Sequence, residues 1–417
     1  MVSCYGNIQL LKDRGLSMTI YNFDKITNRK GTNCLKYDFA VERGKPADVL
    51  PLWVADMDFP VSEEITKSLH AAVDHGIYGY TQPKDAYYNA LMNWMERNHN
   101  WKTEREWIVK TPGVVFALGA AVKAFTDPGD AILIQNPVYY PFTNIIRDND
   151  RRVIDNTLIY EKTTGQSGEN GYRIDFEDFE RKLEQEHIKL FILCNPHNPV
   201  GRVWTVEELQ KLGEICLRHH VIVVSDEIHN DFVYPGYEHT VFAKVDPRFA
   251  EFTVTCTAPS KTFNLAGLQI SNIFIPNEKL RKAFQTEIDK TGYDEPNALG
   301  IVACEAAYRA GEDWLEQLRA YLLQNLNFLR EYLQKKIPQI HLVEPEGTYL
   351  VWLDCSELGI TGKELDQFIV DKAGLWLDGG SMFGPGGAAF QRVNIACPRA
   401  TLQLALDKLK TAVDTLK

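Results

Sequence analysis

Residues 190–201 read LFILCNPHNPVG, a short apolar run followed by a turn-forming stretch with two prolines and a glycine. Other apolar runs occur on both sides of it, namely AILIQ from 131, VIVVSD from 221, FTVTC from 252 and SNIFI from 271. Amphipathic stretches separate these runs, such as TVEELQKLGEICLRHH from 205, for which Thr205 is the predicted helix N-cap. Because unbroken apolar strands separated by helices are typical of a mostly parallel sheet covered on both faces, the sequence predicts an α/β fold.

Length and charge exclude several classes of protein. At 417 residues the chain exceeds what one hydrophobic core usually serves, which predicts two domains. The net charge of −11 argues against binding to nucleic acid, whose phosphates require lysine and arginine. No apolar run approaches the roughly 18 residues of a membrane span, and the first residues do not resemble a signal peptide.

The eight cysteines form no C-x-x-C pair, and several lie inside apolar runs. Free, buried thiols in a reducing compartment are the simplest interpretation, so we expect a cytoplasmic protein without a metal site.

The pattern changes near residue 298 and predicts a second, smaller domain. One long helical segment, from 298 to 337, precedes the strand-like stretches TYLVWLD, LWLDGG and FQRVNIA. We therefore predict an N-terminal extension (1–17), a segment that joins the small domain (18–60), a large domain (61–297) and a small α+β domain (298–417).

Polar groups follow three of the apolar runs directly. NPHNPVG follows LFILC, SDEIH follows VIVV, and TAPSKTFN follows FTVTC. In open α/β sheets, ligands bind beyond the carboxyl ends of the strands. Any one of these stretches alone fits a plain turn or a helix cap, but their order predicts one shared site.

Asp226 and Lys261 carry the chemistry in these stretches. Asp226 is either a helix N-cap or, after a buried strand, the partner of a cationic ring nitrogen. Lys261 is either a solvent-facing side chain or an amine that desolvation keeps uncharged and nucleophilic. A lysine for a Schiff base and an aspartate for a pyridinium nitrogen are the pair that pyridoxal phosphate (PLP) requires.

A phosphate group requires its own binding site. Lys110-Thr111-Pro112-Gly113 precedes VVFALGAAVKAF, a predicted helix whose first N–H groups, at Val114 and Val115, are free to bind an anion. The alternative interpretation is an ordinary Pro-Gly turn before a helix, with no bound anion.

The motifs N-P-x-N-P-x-G (195–201), S-D-E and S-K-x-x-N resemble, in this order, those of fold-type I PLP enzymes of the class I/II aminotransferase family, over residues 20–415. WVADMDFP (53–60), YGYTQP (78–83) and DEIH resemble more narrowly the MalY/PatB-type cystathionine β-lyase (C–S lyase) branch. The resemblance implies an aspartate-aminotransferase-like fold with a seven-stranded sheet in the large domain.

The same resemblance implies roles for individual residues. Lys261 would carry PLP, Asp226 would keep its ring nitrogen protonated, and Asn198 would bind its phenolic oxygen. Tyr139 would stack on the ring, although a hydrophobic plug is the alternative. Arg392 would bind the substrate carboxylate, the alternative being an edge or surface residue of a strand. His229 would replace the usual tyrosine near the phenolic oxygen or simply pack there.

The phosphate would contact Gly113, Val114, Val115 and Ser260. Tyr80 from the other subunit of a homodimer would also reach the phosphate, and the resemblance makes Tyr80 a catalytic residue as well. Two positions depart from the family pattern. Ala258 replaces the usual serine three residues before the lysine, and Gln269 replaces the usual arginine eight residues after it. The phosphate therefore lacks its customary guanidinium partner.

The resemblance implies α,β-elimination from an L-amino acid with sulfur on Cβ, such as cystathionine, which yields a thiol, pyruvate and ammonia. The same residues also suit an aminotransferase, because the sequence does not decide where the proton is returned. A regulatory, partner-binding protein on this fold is the third possibility, although residues 1–17 are too few for a DNA-binding module.

Overall fold

The computed structural model describes residues 19–162 and 171–416, so the predicted extension at 1–17 lies outside the described residues. The strands are β1 Leu50–Pro51, β2 Ile108–Thr111, β3 Ala131–Ile134, β4 Arg152–Asp155, β5 Ile159–Tyr160, β6 Tyr172–Arg173, β7 Leu190–Cys194, β8 Ile222–Asp226, β9 Thr253–Thr257, β10 Ser271–Phe274, β11 His341–Val343, β12 Leu350–Asp354, β13 Leu375–Trp376, β14 Asp378–Gly379 and β15 Phe390–Asn394.

The α-helices are α1 Leu35–Asp38, α2 Glu63–His75, α3 Asp85–His99, α4 Val114–Phe125, α5 Pro141–Asp148, α6 Phe176–Glu186, α7 Val206–Arg218, α8 Phe242–Val245, α9 Pro259–Thr262, α10 Glu278–Asp289, α11 Ala298–Ala310, α12 Glu312–Lys336, α13 Gly362–Asp371 and α14 Arg399–Val413. Within the described ranges, none of these helices is both long enough and apolar enough to cross a membrane.

A seven-stranded sheet in the order β2-β10-β9-β8-β7-β3-β4 forms the centre of the large domain. The pairs β9-β8, β8-β7, β7-β3 and β3-β4 are parallel, and only β10 runs against its two neighbours. The five predicted apolar runs correspond to β3, β7, β8, β9 and β10, so the α/β prediction with a mostly parallel seven-stranded sheet is confirmed.

Local sequence explains the helix α7, which follows β7 and covers the sheet. The Thr205 side chain accepts the backbone N–H of Glu208, and the Glu208 carboxylate accepts the N–H of Thr205, which completes a capping box. The predicted N-cap is therefore confirmed. The buried face of α7, which includes Leu209 and Leu212, packs in the same apolar cluster as Phe191 of β7.

The long helical segment predicted from 298 to 337 is wrong as a single helix, because α11 ends at Ala310 and α12 begins at Glu312. Gly311 joins the two helices where a Cβ atom would lie 2.4 Å from the Phe263 ring. Apolar periodicity continues on both sides of Gly311, so the pattern alone does not show the break.

A second sheet, in the order β11-β12-β15-β14, follows α12, and helices α12 and α14 pack together beside it. The N-terminal segment reaches the same region, since β1 pairs in parallel with β13. Helix α11 packs against α2 and α3 of the large domain. The division of the chain at residues 60 and 297 stays a prediction.

Candidate active site

A cavity opens at the carboxyl ends of β7 and β8, beside helix α9 that follows β9. Its described lining is Ala55, Pro112, Gly113, Val114, Val115, Tyr139, Cys194, Asn198, Asp226, Ile228, His229, Ser260, Lys261, Ala266 and Ile270. Nine of the eleven predicted site residues are in this set. Arg392 and Tyr80 are the two that are not.

Asp226 is the last residue of β8 and is almost fully buried. Its carboxylate accepts one hydrogen bond, from the backbone N–H of Ile228 at 3.2 Å. Burial raises the pKa of Asp226 to about 7, while the Ile228 N–H and the charge of Lys261 oppose the shift. A buried carboxylate with so few donors requires a cation in the cavity to remain ionised.

Lys261 lies in helix α9, the single turn after β9. Burial lowers the pKa of Lys261 to about 8, and the nearby charge of Arg392 lowers it further, against the attraction of Asp56 and Asp226. The neutral amine is the form that attacks a carbonyl, and the lowered pKa makes this form more abundant near neutral pH than in an ordinary lysine.

Gly113 and Ser260 lie on the anion-binding side of the cavity. Gly113 precedes α4, whose first N–H groups, at Val114 and Val115, have no carbonyl four residues earlier in the helix to accept them. A Cβ atom at Gly113 would meet nothing within 4 Å, so the space beside it is open. Within the described lining, Lys261 is the only cationic side chain.

Neither of the two positions that depart from the family pattern supplies a charged group to this side of the cavity. Ala258 is buried at the N-cap of α9, and Gln269 is exposed and does not line the cavity. Among the described residues, the helix N-terminus and Ser260 are thus the groups placed to meet a phosphate.

Tyr139 and His229 form aromatic walls of the cavity. Burial raises the pKa of Tyr139 to about 12, so its hydroxyl stays protonated. Burial, together with the charges of Lys261 and Arg392, holds the pKa of His229 well below its usual range, so its ring is neutral. The His229 Nδ1 atom is buried and has no hydrogen-bond partner in the described chain.

Asn198 connects the cavity to Arg392, which is buried on β15. One Arg392 N–H group donates to Asn198 Oδ1 at 3.1 Å, and another donates to the backbone oxygen of Trp53 at 2.9 Å. Arg392 also forms an ion pair with Asp378 of β14. Arg392 thus lies one contact behind the cavity wall, and its Nε is buried without a partner in the described chain.

Residues 53–59 are held by both domains, a feature that the sequence did not reveal. Asn264, three residues after Lys261, accepts the N–H of Met57 and donates to the oxygens of Met57 and Phe59. From the other side, Asn394 donates to the oxygens of Val54 and Asp56. Ala55 of this segment lines the cavity.

Tyr80 lies apart from the cavity of its own chain. It is 94% exposed, and the neighbouring Ile77 and Tyr78 are also exposed. A single chain therefore does not bring Tyr80 to the site.

The donors around the cavity suit a flat cationic ring that bears a phosphate. A buried carboxylate and a lysine with a lowered pKa both line it, together with Ser260 and the N-terminus of α4, whose free N–H groups suit an anion. The fold and the site together define an α/β enzyme with a lysine-centred cavity at the strand ends. The family model for class I and II aminotransferases matches residues 47–409, and the chain belongs to this family.

Among characterised relatives, the chain is 46% identical to cystathionine beta-lyase PatB of Bacillus subtilis, over 94% of this chain and 100% of that protein. Among solved structures, cystalysin of Treponema denticola with a PLP cofactor superposes with a TM-score of 0.91 at 38% identity, covering 96% and 100% of the two chains. The PLP-bound C–S lyase of Staphylococcus hominis superposes with a TM-score of 0.87 at 35% identity, covering 95% and 98%.

Proposed function

We propose that this chain is a PLP-dependent C–S β-lyase that cleaves cystathionine or related cysteine S-conjugates. The observation that carries the proposal is the 46% identity to a cystathionine beta-lyase over the whole length of that relative. The cavity supports it, because Lys261 and Asp226 both line it, and a lysine and an aspartate are the pair that PLP chemistry requires.

Different residues around the cavity would bind different parts of the cofactor. Lys261 would carry PLP through its Nζ, Asp226 would pair with the ring nitrogen, and Tyr139 would cover the ring face. Asn198 and His229 would face its phenolic oxygen. The phosphate would meet Gly113, Val114, Val115 and Ser260.

When bound, PLP supplies a protonated ring that accepts the electron pair left on the substrate Cα. Asp226 favours that protonated ring, because a nearby cation lowers the raised pKa of the Asp226 carboxyl and so keeps the carboxylate ionised. Lys261, with its pKa lowered to about 8, takes the Cα proton on Nζ. Arg392 orients the substrate carboxylate. The overall reaction consumes the amino acid and water and releases a thiol, pyruvate and ammonia.

Two further parts of the proposal concern assembly and location. The exposed Tyr80 completes the phosphate site of a second copy of the chain, which makes the working enzyme a homodimer. The seven described cysteines are free and six of them are buried, which suits the reducing cytoplasm.

The first experiment measures pyruvate and free thiol separately after PLP-reconstituted protein is mixed with L-cystathionine. Equal release of both products is expected. Lys261→Ala should lose turnover and the yellow cofactor absorbance while keeping the fold, whereas exposed Lys67→Ala should keep both. A Lys261→Ala protein that retained both properties would overturn the assignment.

An aminotransferase is the second candidate, because the matching family model is that of class I and II aminotransferases. Transfer of the amino group to a keto acid, with no pyruvate or thiol from cystathionine, would support it in place of the lyase.

A further inference from the structure

Asp231 is buried, two residues after His229, and contacts three other parts of the chain. Its Oδ1 accepts the indole N–H of Trp94 at 3.2 Å and lies 3.1 Å from Nε2 of His99. Its Oδ2 accepts the Thr262 hydroxyl at 2.6 Å, and its backbone oxygen accepts Nε–H of Arg319 at 2.6 Å. Helices α3, α9 and α12 therefore converge on this one residue.

Thr262 is the neighbour of Lys261 and the last residue of α9. Its bond to Asp231 holds this four-residue helix to the large domain, while Asn264 binds the segment that contains Ala55. A helix of a single turn has few internal hydrogen bonds, so outside contacts decide its orientation. The direction of the Lys261 side chain depends on this orientation.

The charge of Asp231 does not influence the pKa of Lys261. The charges that influence the pKa of Lys261 belong to Arg392, Asp56 and Asp226. Burial tends to raise the pKa of Asp231, but its contacts with His99, Arg319 and Thr262 hold that pKa below the usual value, so the carboxylate is ionised. An ionised carboxylate is the stronger acceptor for the Thr262 hydroxyl.

We propose that Asp231 is a positioning residue, whose hydrogen bond to Thr262 fixes helix α9 so that Lys261 faces the cavity. This inference rests on the proposed role of Lys261 as the cofactor lysine. The Asp231 side chain does not line the cavity, so it acts only through Thr262. Reactions of a held amine are sensitive to displacements of about 1 Å, so loss of this bond should slow steps at Lys261 more than it weakens substrate binding.

The experiment compares three threonine variants of the full chain. Thr262→Val removes the hydroxyl with little change in volume, and Thr262→Ser keeps it. Thr255→Val is the matched control, because the Thr255 hydroxyl is also fully buried but has no partner in the described chain. Two quantities are measured: the rate at which the yellow band returns when apoprotein is mixed with PLP, and kcat and KM for L-cystathionine.

Thr262→Val should regain the yellow band about tenfold more slowly and lose about tenfold in kcat, with KM changed by no more than about threefold. Thr262→Ser and Thr255→Val should stay within about threefold of the unmodified protein in every quantity. Asp231→Asn provides a second test if Thr262→Val does not fold, and the same losses are expected.

Unchanged rates in a folded Thr262→Val protein would overturn the proposal. Equal losses in Thr262→Ser and Thr262→Val would also overturn it, since packing and not the hydroxyl would then be responsible. Formation of the yellow band is measured without substrate, so it tests the role of Asp231 independently of the reaction that the enzyme catalyses. A protein that forms the band but releases no pyruvate would contradict the lyase proposal alone.

Discussion

Arg392 and Asp378 form a buried ion pair between two adjacent strands of the small sheet, directly behind the cavity wall. Burial raises the pKa of Asp378, and Arg392 opposes the shift. The arginine predicted to bind the substrate carboxylate is therefore already shared with a carboxylate of the protein. Asp378 holds the guanidinium in place, so a substrate carboxylate bound by Arg392 would have to use the N–H groups that remain.

Arg392→Ala should reduce kcat/KM by at least about 30-fold, since removal of one partner from a buried charged contact costs roughly 2–5 kcal/mol. It should also lower the free energy of unfolding by about 3–5 kcal/mol, because Asp378 is left buried without a cation. Steady-state kinetics and urea unfolding measure the two effects.

An Arg392→Ala/Asp378→Ala double variant separates the loss of activity from the loss of stability. It should regain much of the lost stability and none of the activity, because the unpaired carboxylate is gone but the carboxylate-binding group is still missing. Near-normal kcat/KM in either variant would rule out Arg392 as the group that binds substrate.

Asp226→Asn should stabilise the cofactor-free protein above pH 7. The pKa of Asp226 is about 7 in the folded chain and near 4 when unfolded, so ionisation opposes folding as pH rises through this window, by up to about 4 kcal/mol. The advantage of the asparagine variant should therefore be largest at pH 8 and shrink by roughly 2–3 kcal/mol at pH 5. Urea unfolding of apoprotein at both values measures it.

Exposed Asp48→Asn is the control and should show no such pH dependence. Addition of PLP should reverse the order, because a cationic ring nitrogen stabilises only the aspartate protein. An advantage independent of pH would contradict a raised Asp226 pKa.

Gly213→Ala and Gly119→Ala should change stability in opposite directions, although both glycines lie inside helices. A Cβ atom at Gly213 of α7 would lie 2.0 Å from the Phe249 ring, so overpacking should cost about 1–3 kcal/mol. A Cβ atom at Gly119 of α4 meets nothing within 4 Å, so alanine should stabilise by about 0.4–1 kcal/mol. Thermal unfolding of the two variants side by side tests this, and equal shifts would contradict the packing at Phe249.

Tyr80→Ala and Lys261→Ala should each be inactive alone but active when mixed. If Tyr80 serves the neighbouring subunit, a mixed dimer contains one site with both residues intact. Random exchange of subunits should then restore about one quarter of the normal activity, since half of the dimers are mixed and each has one working site. No recovery after verified subunit exchange would show that Tyr80 serves its own chain or no site at all.

Local patterns predicted the sheet and much of the cavity. The apolar runs gave β3, β7, β8, β9 and β10, because a buried strand must be apolar on both faces. The residues at the ends of these strands or a few positions beyond them, such as Asn198, Asp226 and Lys261, meet in one cavity because parallel strands end at the same edge.

Contacts between distant parts of the chain were not predictable from those patterns. Asn198 lies 194 residues from Arg392, which it contacts, and nothing in LWLDGG indicates that the Asp378 carboxylate pairs with Arg392. Asp231 likewise resembles any polar residue after a strand until helix α3 brings Trp94 to it. Gly311 shows the same limit, since only the Phe263 ring explains the end of α11.

The binding of residues 53–59 by Asn394 has a consequence for synthesis of the chain. Ala55 leaves the ribosome long before β15, the strand that binds its neighbours. The cavity wall therefore closes only after β15 has been made, and contacts across so long a separation form slowly. We expect a nascent chain that ends before β15 to expose Lys261 in an open, incomplete site, so firm attachment of the cofactor becomes a late, post-translational event.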